Sequence, residues 1–232
     1  VVGPDRHAAG TFAIKRLAPT PSVFVLDDGF SHLALYRDLD LLAFPAADPF
    51  AGGRLAPSGR LREPLMSASR AQAALLTGDA TTDDAQALEE ALRSFGFKGQ
   101  AFACPTRLGR PYLLPSKEPL SQNTSVFLAS AIARPQGFRQ AAESLGLAIR
   151  GEIAFADHHA YPPASLERIV SAFRASGAEV VLATAKDAVK LEGRLALPLA
   201  VLPIRAEPEG RFWTWLDAEM TSLALRRDLG AP

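Results

Sequence analysis

Two adjacent carboxylates, Asp27 and Asp28, open the stretch Asp27-Asp28-Gly29-Phe30-Ser31-His32 and directly follow the apolar run VFVL at 23–26. Side by side the two acids repel, and a cation relieves that repulsion. Paired carboxylates are suited to Mg²⁺, often held through water, next to nucleotide phosphates. Ligands of α/β sheets bind beyond the carboxyl ends of strands. The 23–26 run is therefore expected to be a buried parallel strand that delivers the pair to a ligand. The plain alternative is a turn, because Asp-Gly is ordinary turn chemistry.

Three further groups could carry chemistry. Residues 54–64, RLAPSGRLREP, contain Arg54, Arg60 and Arg62. Arginine offers planar, multi-donor contacts, which suits an anionic, phosphate-bearing ligand. Glu63 is placed to orient Arg62 or to act on a metal; the alternative is a solvated basic loop. Asp157-His158-His159 follows a strand expected to end at Phe155. A carboxylate beside two imidazoles is a metal site, a histidine oriented by an acid for proton transfer, or a polar loop. Lys186-Asp187 follows the run 180–183 and reads most simply as a helix start, with Thr184 or Asp187 as the cap, and a surface lysine.

The elements that must position these groups alternate between strand and helix. Apolar runs at 39–44, 73–76, 126–129, 180–183 and 199–203 read as strands. Helices are expected from Asp83, with Leu88, Leu92 and Phe95 on one face, from Pro135 to Leu145, and from about Pro163 to Ser176. Gly96, Gly146 and Gly177 stop them. The Pro-, Gly- and Arg-rich stretch 45–63 is a long loop of the kind that tends to be functional. This alternation predicts α/β layers. The expected division is a core domain at 1–98, a linker ribbon at 99–124, a second α/β domain at 125–198, and a return linker strand and C-terminal helix at 199–232.

The 232 residues carry 25 basic and 25 acidic side chains, so bulk charge points to no nucleic-acid partner. Cys104 is the single cysteine, which excludes a disulfide within the chain and fits a reducing compartment. No run approaches the ~18 apolar residues of a membrane span. Asp5, Arg6 and His7 interrupt any signal-peptide pattern.

In order along the chain, VFVLDDGFSH, LYRDLDLLAF, GGRLAPSGRLREP, FADHHAY and LATAKDAVKL resemble the tetraacyldisaccharide 4'-kinase family, the lipid A 4'-kinases. The resemblance implies a P-loop-type nucleotide-binding α/β core, a smaller α/β domain and a β-ribbon linker. It implies transfer of the ATP γ-phosphate, with Mg²⁺, to the 4'-hydroxyl of a lipid disaccharide 1-phosphate. It further implies a membrane surface as partner, on the cytoplasmic face of the bacterial inner membrane, and no nucleic acid. By the same resemblance Asp27 and Asp28 hold Mg²⁺ and the nucleotide, and Asp28, Glu63 and His158 are catalytic. His158 would pair with a catalytic aspartate from upstream. His32, Arg54, Arg62, Glu63 and His159 would bind substrate. Ser31 stands where the family usually has Gln, and Ala183 and Ala185 alter its Thr-Thr-Glu-Lys-Asp run. No G-x-x-x-x-G-K-[ST] phosphate loop occurs in the 232 residues. The chain, which starts at Val1, is therefore expected to be cut upstream of that loop and of an N-terminal membrane anchor, and to be inactive alone. Two other readings stand beside this one: a metal-dependent phosphoesterase with an Asp-His-His site, and a non-catalytic lipid-saccharide binding protein.

Overall fold

The computed structural model describes residues 5–228. The first and last four residues, which the expected domain bounds include, lie outside that range. The chain forms two compact units, one of residues 1–105 and 206–232, the other of residues 106–205.

The first unit is built on a sheet of order β1-β2-β3-β9, from β1 (Leu41–Pro45), β2 (Ala73–Gly78), β3 (Gln100–Leu108) and β9 (Ile204–Ala206). The pairs β1/β2 and β2/β3 are parallel, with Leu42 opposite Ala74 and Leu75 opposite Phe102. Helix α1 (Arg6–Arg16) starts at Asp5, whose side chain accepts the Ala8 N–H. Helix α2 (Thr82–Arg93) starts in a capping box of Thr81 and Asp84, with Thr81 and not the expected Asp83 as its cap. Its apolar face packs Ala85, Leu88 and Leu92 with Phe44, Leu76 and Phe97. On α6 (Gly210–Asp228), Phe212 joins Ala73 and Phe102 in a second cluster.

Two expectations for this region change. Residues 23–26 form no strand, and Val25 is 91% exposed. An apolar run becomes a strand only where a ladder receives its N–H and C=O groups, and no described strand pairs with 23–26. The 99–124 stretch is not a ribbon throughout. Its first part is β3, where Ala101, Phe102, Ala103 and Cys104 are all buried. β3 lies between two other strands of its sheet, so both of its faces need apolar residues.

The second unit has a sheet of order β4-β8-β7-β5-β6, from β4 (Tyr112–Leu114), β5 (Ser125–Ser130), β6 (Ala148–Ala154), β7 (Val180–Thr184) and β8 (Leu199–Leu202). β4 is antiparallel to β8, and the other pairs are parallel. Every residue of β5, β7 and β8 is buried. The 199–203 run is thus a core strand of this sheet and not a return linker. Helix α3 (Pro135–Ser144) packs Phe138 and Ala142 with Val126, Leu128 and Leu182. Helices α4 (Pro163–Ser176) and α5 (Ala185–Leu191) pack Ile169, Phe173 and Leu191 with Phe127 and Val181. Gly177, at φ 66°, closes α4 in the left-handed conformation that favours glycine.

Asp187 ties α5 to the sheet. It is fully buried, and its Oδ2 accepts the Ala131 N–H at 3.0 Å and the Thr184 hydroxyl at 2.8 Å. Its own N–H donates to Thr184 Oγ1. Burial, with the Asp187 carboxylate next to it, pushes the Tyr161 hydroxyl well above the usual tyrosine range. Asp187→Ala leaves a buried N–H and a buried hydroxyl without their acceptor. It should destabilise the second unit by about 2–3 kcal/mol, read by urea unfolding followed by circular dichroism. A loss below ~1 kcal/mol would remove Asp187 from this role.

Candidate functional site

In the first unit the functional side chains converge from two segments that have little regular structure. Asp28 sits in the left-handed region, at φ 53°, which short polar residues tolerate. Gly29 is buried in the turn, and a Cβ there would lie 2.7 Å from Leu26 Cβ. The His32 N–H closes this turn on the Gly29 carbonyl at 3.0 Å. Arg62 Nη1 donates to both Asp28 carboxylate oxygens, at 2.7 and 2.6 Å. Three residues on, Ser31 Oγ donates to Glu63 Oε1 at 2.5 Å. Arg70, the last residue of a 3₁₀ turn (Leu65–Arg70), donates to Glu63 Oε2 at 2.7 Å. Its guanidinium also lies 4.4 Å from the centroid of the Phe30 ring. Asp27, in contrast, is exposed, and its main-chain carbonyl accepts from Arg6 at 3.2 Å.

The arginine loop closes on itself. Leu61 N–H donates to the Arg54 carbonyl, Ala56 N–H to the Leu61 carbonyl, and Gly59 N–H to the Leu55 carbonyl. A Cβ on Gly59 would lie 2.2 Å from the Arg54 carbonyl oxygen, so only glycine fits the neck of this loop. Arg60 pairs with Asp48, and Arg54 is exposed. Sequence reasoning missed Arg37. Its Nη1 donates to the His32 and Leu35 carbonyls at 2.6 and 2.9 Å, and its Nε pairs with Asp40 at 2.6 Å. This holds the main chain beside His32 in place. Nothing in its spacing marks Arg37 out, because each of its contacts depends on a folded turn.

The Asp157-His158-His159 stretch lies in the second unit, between β6 and α4. His158 is exposed, and its Nε2 lies 3.7 Å from Asp157 Oδ2. Asp157 Oδ1 accepts the His158 N–H at 2.9 Å and the Lys186 ammonium at 3.1 Å. The hydrogen bond from Lys186 is the main reason that the Asp157 carboxyl lies below the ordinary aspartate range. His159 is half-buried. Its ring stacks on Phe155 at 4.6 Å, stands edge-on to Tyr161, and shares a 2.8 Å hydrogen bond with Ser165 Oγ. The structure thus gives the His159 ring a packing environment, whereas the His158 ring stays open to solvent. Among the described residues, no three His, Cys, Asp or Glu side chains gather as a metal ligand set.

The family model of the tetraacyldisaccharide-1-P 4'-kinases (LpxK) matches residues 1–221. The chain belongs to this family. The tetraacyldisaccharide 4'-kinase of Geobacter sulfurreducens is 39% identical over 207 residues, which cover 87% of this chain and 55% of that protein. Its counterpart in Geobacter metallireducens is 35% identical over 191 residues, covering 82% and 55% respectively. A solved structure of LpxK from Aquifex aeolicus in complex with ATP superposes with a TM-score of 0.64 at 28% identity, covering 94% of this chain and 62% of that one. The chain spans about half the length of the curated relatives it matches. Ser31 is expected to stand at a position where the resembled family usually has Gln. The Ser31 hydroxyl donates to Glu63, a bond that a glutamine amide could also form.

Burial raises the Glu63 pKa, but hydrogen bonds from Ser31, Arg70 and Ser67 outweigh it and leave the carboxyl below the ordinary glutamate range. Its ionised form therefore stabilises the fold above the unfolded pKa, and that contribution is lost as the pH falls through the lower folded value. Arg70→Leu removes one of these bonds and the nearest positive charge while leaving Glu63 half-buried. The Glu63 midpoint should then move upward, measured from its carboxyl ¹³C shift against pH. An unmoved midpoint would show that Arg70 does not hold this carboxylate.

Proposed function

We propose that the protein transfers the γ-phosphate of ATP to the 4'-hydroxyl of tetraacyldisaccharide 1-phosphate. The observation that carries this reading is the double tie between the Asp-Asp-Gly-Phe segment and the Arg-Glu-Pro loop. Arg62 meets Asp28, and Ser31 meets Glu63. One surface of an LpxK-family chain thereby gathers carboxylates for a metal and guanidinium groups for phosphate.

Phosphoryl transfer asks the protein mainly for positioning and for neutralisation of charge. Mg²⁺ is usually held by one or two carboxylates together with substrate phosphates, not by an all-protein cage. Asp27 and Asp28 fit that protein share, with Mg²⁺ supplying charge neutralisation at the transferred phosphate. Asp28 accepts from Arg62 in this structure, and Arg62 is free to turn to a phosphate when the carboxylate takes up the ion. Arg54, Arg62 and His32 would bind the disaccharide phosphate. Glu63 would orient them or act at the reacting centre, and His158 would handle the proton of the attacking hydroxyl. His159 would complete substrate binding through its main chain and the loop it stabilises. The 232 residues contain no G-x-x-x-x-G-K-[ST] phosphate loop, so their share of the reaction is the carboxylate, arginine and histidine side.

No helix of the described residues is long and apolar enough to cross a membrane. We place the work at the membrane surface because the proposed substrate is a lipid, on the cytoplasmic face where ATP is available. The two-unit division is read as a nucleotide-binding core and a smaller α/β domain.

The test uses the polypeptide that carries these 232 residues together with whatever sequence flanks them in the natural gene. Incubation with radiolabelled ATP, Mg²⁺ and the tetraacyl disaccharide 1-phosphate should give labelled bisphosphate, whereas the 232 residues alone should give none. His158→Ala should lower kcat by ~10²-fold without lowering the melting temperature, because the ring is exposed. Binding of the disaccharide without any transfer would favour the non-catalytic reading. Full activity in His158→Ala with loss in His159→Ala would exchange the two roles.

A further inference from the structure

Three cations on one face of the α5 region reach into the Asp157–Tyr161 loop. Lys186 donates to Asp157 Oδ1 at 3.1 Å. Lys190 donates to the His159 carbonyl at 2.9 Å. Arg194 donates to the Tyr161 carbonyl at 2.6 Å and to the Ala160 carbonyl at 3.4 Å. Within α5, the four-residue spacing of Lys186 and Lys190 places their side chains above one another on one helix face. Lys186 and Lys190 stand on α5, and Arg194 lies in the turn that follows it, where the Leu195 N–H donates to the Leu191 carbonyl at 2.9 Å. Lys190 lies in the last turn of α5, where positive charge is favoured.

The loop requires this support. His158 and Tyr161 have φ of 63° and 53°, in the left-handed region that costs a non-glycine residue of order 1 kcal/mol or more. Such conformations persist only where the surroundings over-determine them. The platform beneath is rigid, because Thr184 caps α5 and buried Asp187 bonds it to the Ala131 N–H beyond β5. A fixed helix and the turn after it therefore hold a strained loop at three successive points.

We propose that Lys186 is a positioning residue for phosphoryl transfer, clamping one oxygen of Asp157 so that the other faces the His158 imidazole. This rests on the reading that His158 takes part in the reaction. Asp157 Oδ1 is committed to Lys186 and to the His158 N–H, and Oδ2 is left 3.7 Å from His158 Nε2. The same carboxylate thus fixes both the main chain of His158 and the approach of its ring. The Lys186 and Asp157 side chains are 44% and 39% exposed, and exposed pairs contribute little to stability. Loss of the pair should disturb geometry and leave the fold intact.

Two variants test this, Lys186→Met and Lys186→Arg, each in two settings. In the 232-residue chain, Lys186→Met should raise the titration midpoint of the Asp157 carboxyl, followed by ¹³C NMR, and Lys186→Arg should keep it low. The charged groups that face this carboxyl are Lys186 from α5 and His158 from the loop itself, so an unmoved midpoint overturns the clamp. In the catalytically complete polypeptide, Lys186→Met should lower kcat by about tenfold or more, the scale expected of a misplaced reacting group. KM for ATP and the melting temperature should stay unchanged, and Lys186→Arg should restore most of the rate. Wild-type kcat in Lys186→Met, no recovery in Lys186→Arg, or a rate loss that tracks a lower melting temperature would each overturn the proposal. His158→Ala measured alongside separates the two readings. If it retains full kcat, the histidine reading falls and takes the clamp with it. If it is impaired while Lys186→Met is not, the clamp alone falls.

Discussion

The Arg37–Asp40 pair is the contact through which the sheet of the first unit controls its functional residues. Between α1 and β1 the chain has no helix and no strand, so it has no ladder to fix it. Asp40 supplies the connection. Its N–H donates to the Gln72 side chain, and its carbonyl accepts the Gln72 N–H just ahead of β2. Its carboxylate holds Arg37, and Arg37 gathers the carbonyls of Phe30, His32 and Leu35. Both side chains are largely shielded, 12% and 14% exposed, so the pair is less screened than the surface bridges around it. The hydrogen bond to Asp40 raises the Arg37 pKa. Downstream of this pair, Asp28 and Ser31 are close enough to Arg62 and Glu63 to bond. Without it, those contacts would join two loops held otherwise chiefly by Arg70, which meets Glu63 and the Phe30 ring.

The second unit reaches the same end by a different route. Its loop of interest runs from a strand to a helix, and the adjacent helix α5 presents cations mainly to main-chain carbonyls. Carbonyl contacts of this kind fix backbone position and do not depend on the identity of the loop side chains. In the first unit the functional carboxylates are themselves the ligands of the arginines that place them. The Asp28–Arg62 bridge is therefore both a structural contact and part of the proposed chemistry, and the His158 ring is neither consumed nor buried by what positions it.

How much of this is legible in the sequence follows from the range of the interactions involved. β5 and β7 read directly as strands because central parallel strands need apolar residues on both faces, and a short continuous apolar run has few other uses. The same logic misreads 23–26, since periodicity records apolar character but not the presence of a neighbouring strand. It also misplaces β3 and β8, whose burial depends on which sheet they join. Asp28, Arg62, Glu63 and His158 stand out by residue type and by proximity to turns. Arg37, Arg70, Lys190 and Arg194 do not, because a cation whose partners are set by the folded loops leaves no local pattern. Lys186-Asp187 looks like an ordinary cap and a surface lysine. The cap is there, but Asp187 proves to be a buried tie to β5, and the lysine reaches across 29 residues to Asp157.

The exposed character of the Asp28–Arg62 bridge has a consequence for how a ligand would enter. The two side chains are 72% and 75% exposed, and a pair so open to water contributes little net free energy. Breaking it therefore takes little. In the proposed reaction a metal ion would be the new partner of Asp28 and a substrate phosphate that of Arg62, so both would regain a charge-assisted contact when they part. Until then the bridge neutralises two charges that would otherwise repel their own neighbours, Asp27 on one side and Arg60 on the other. A buried bridge at the same position would resist exchange, because separating its partners would strand a charge in low dielectric. The weakness of this contact suits it to a site that must trade internal partners for a ligand. The stronger, shielded Arg37–Asp40 pair behind it would keep the surrounding backbone in place during the proposed trade.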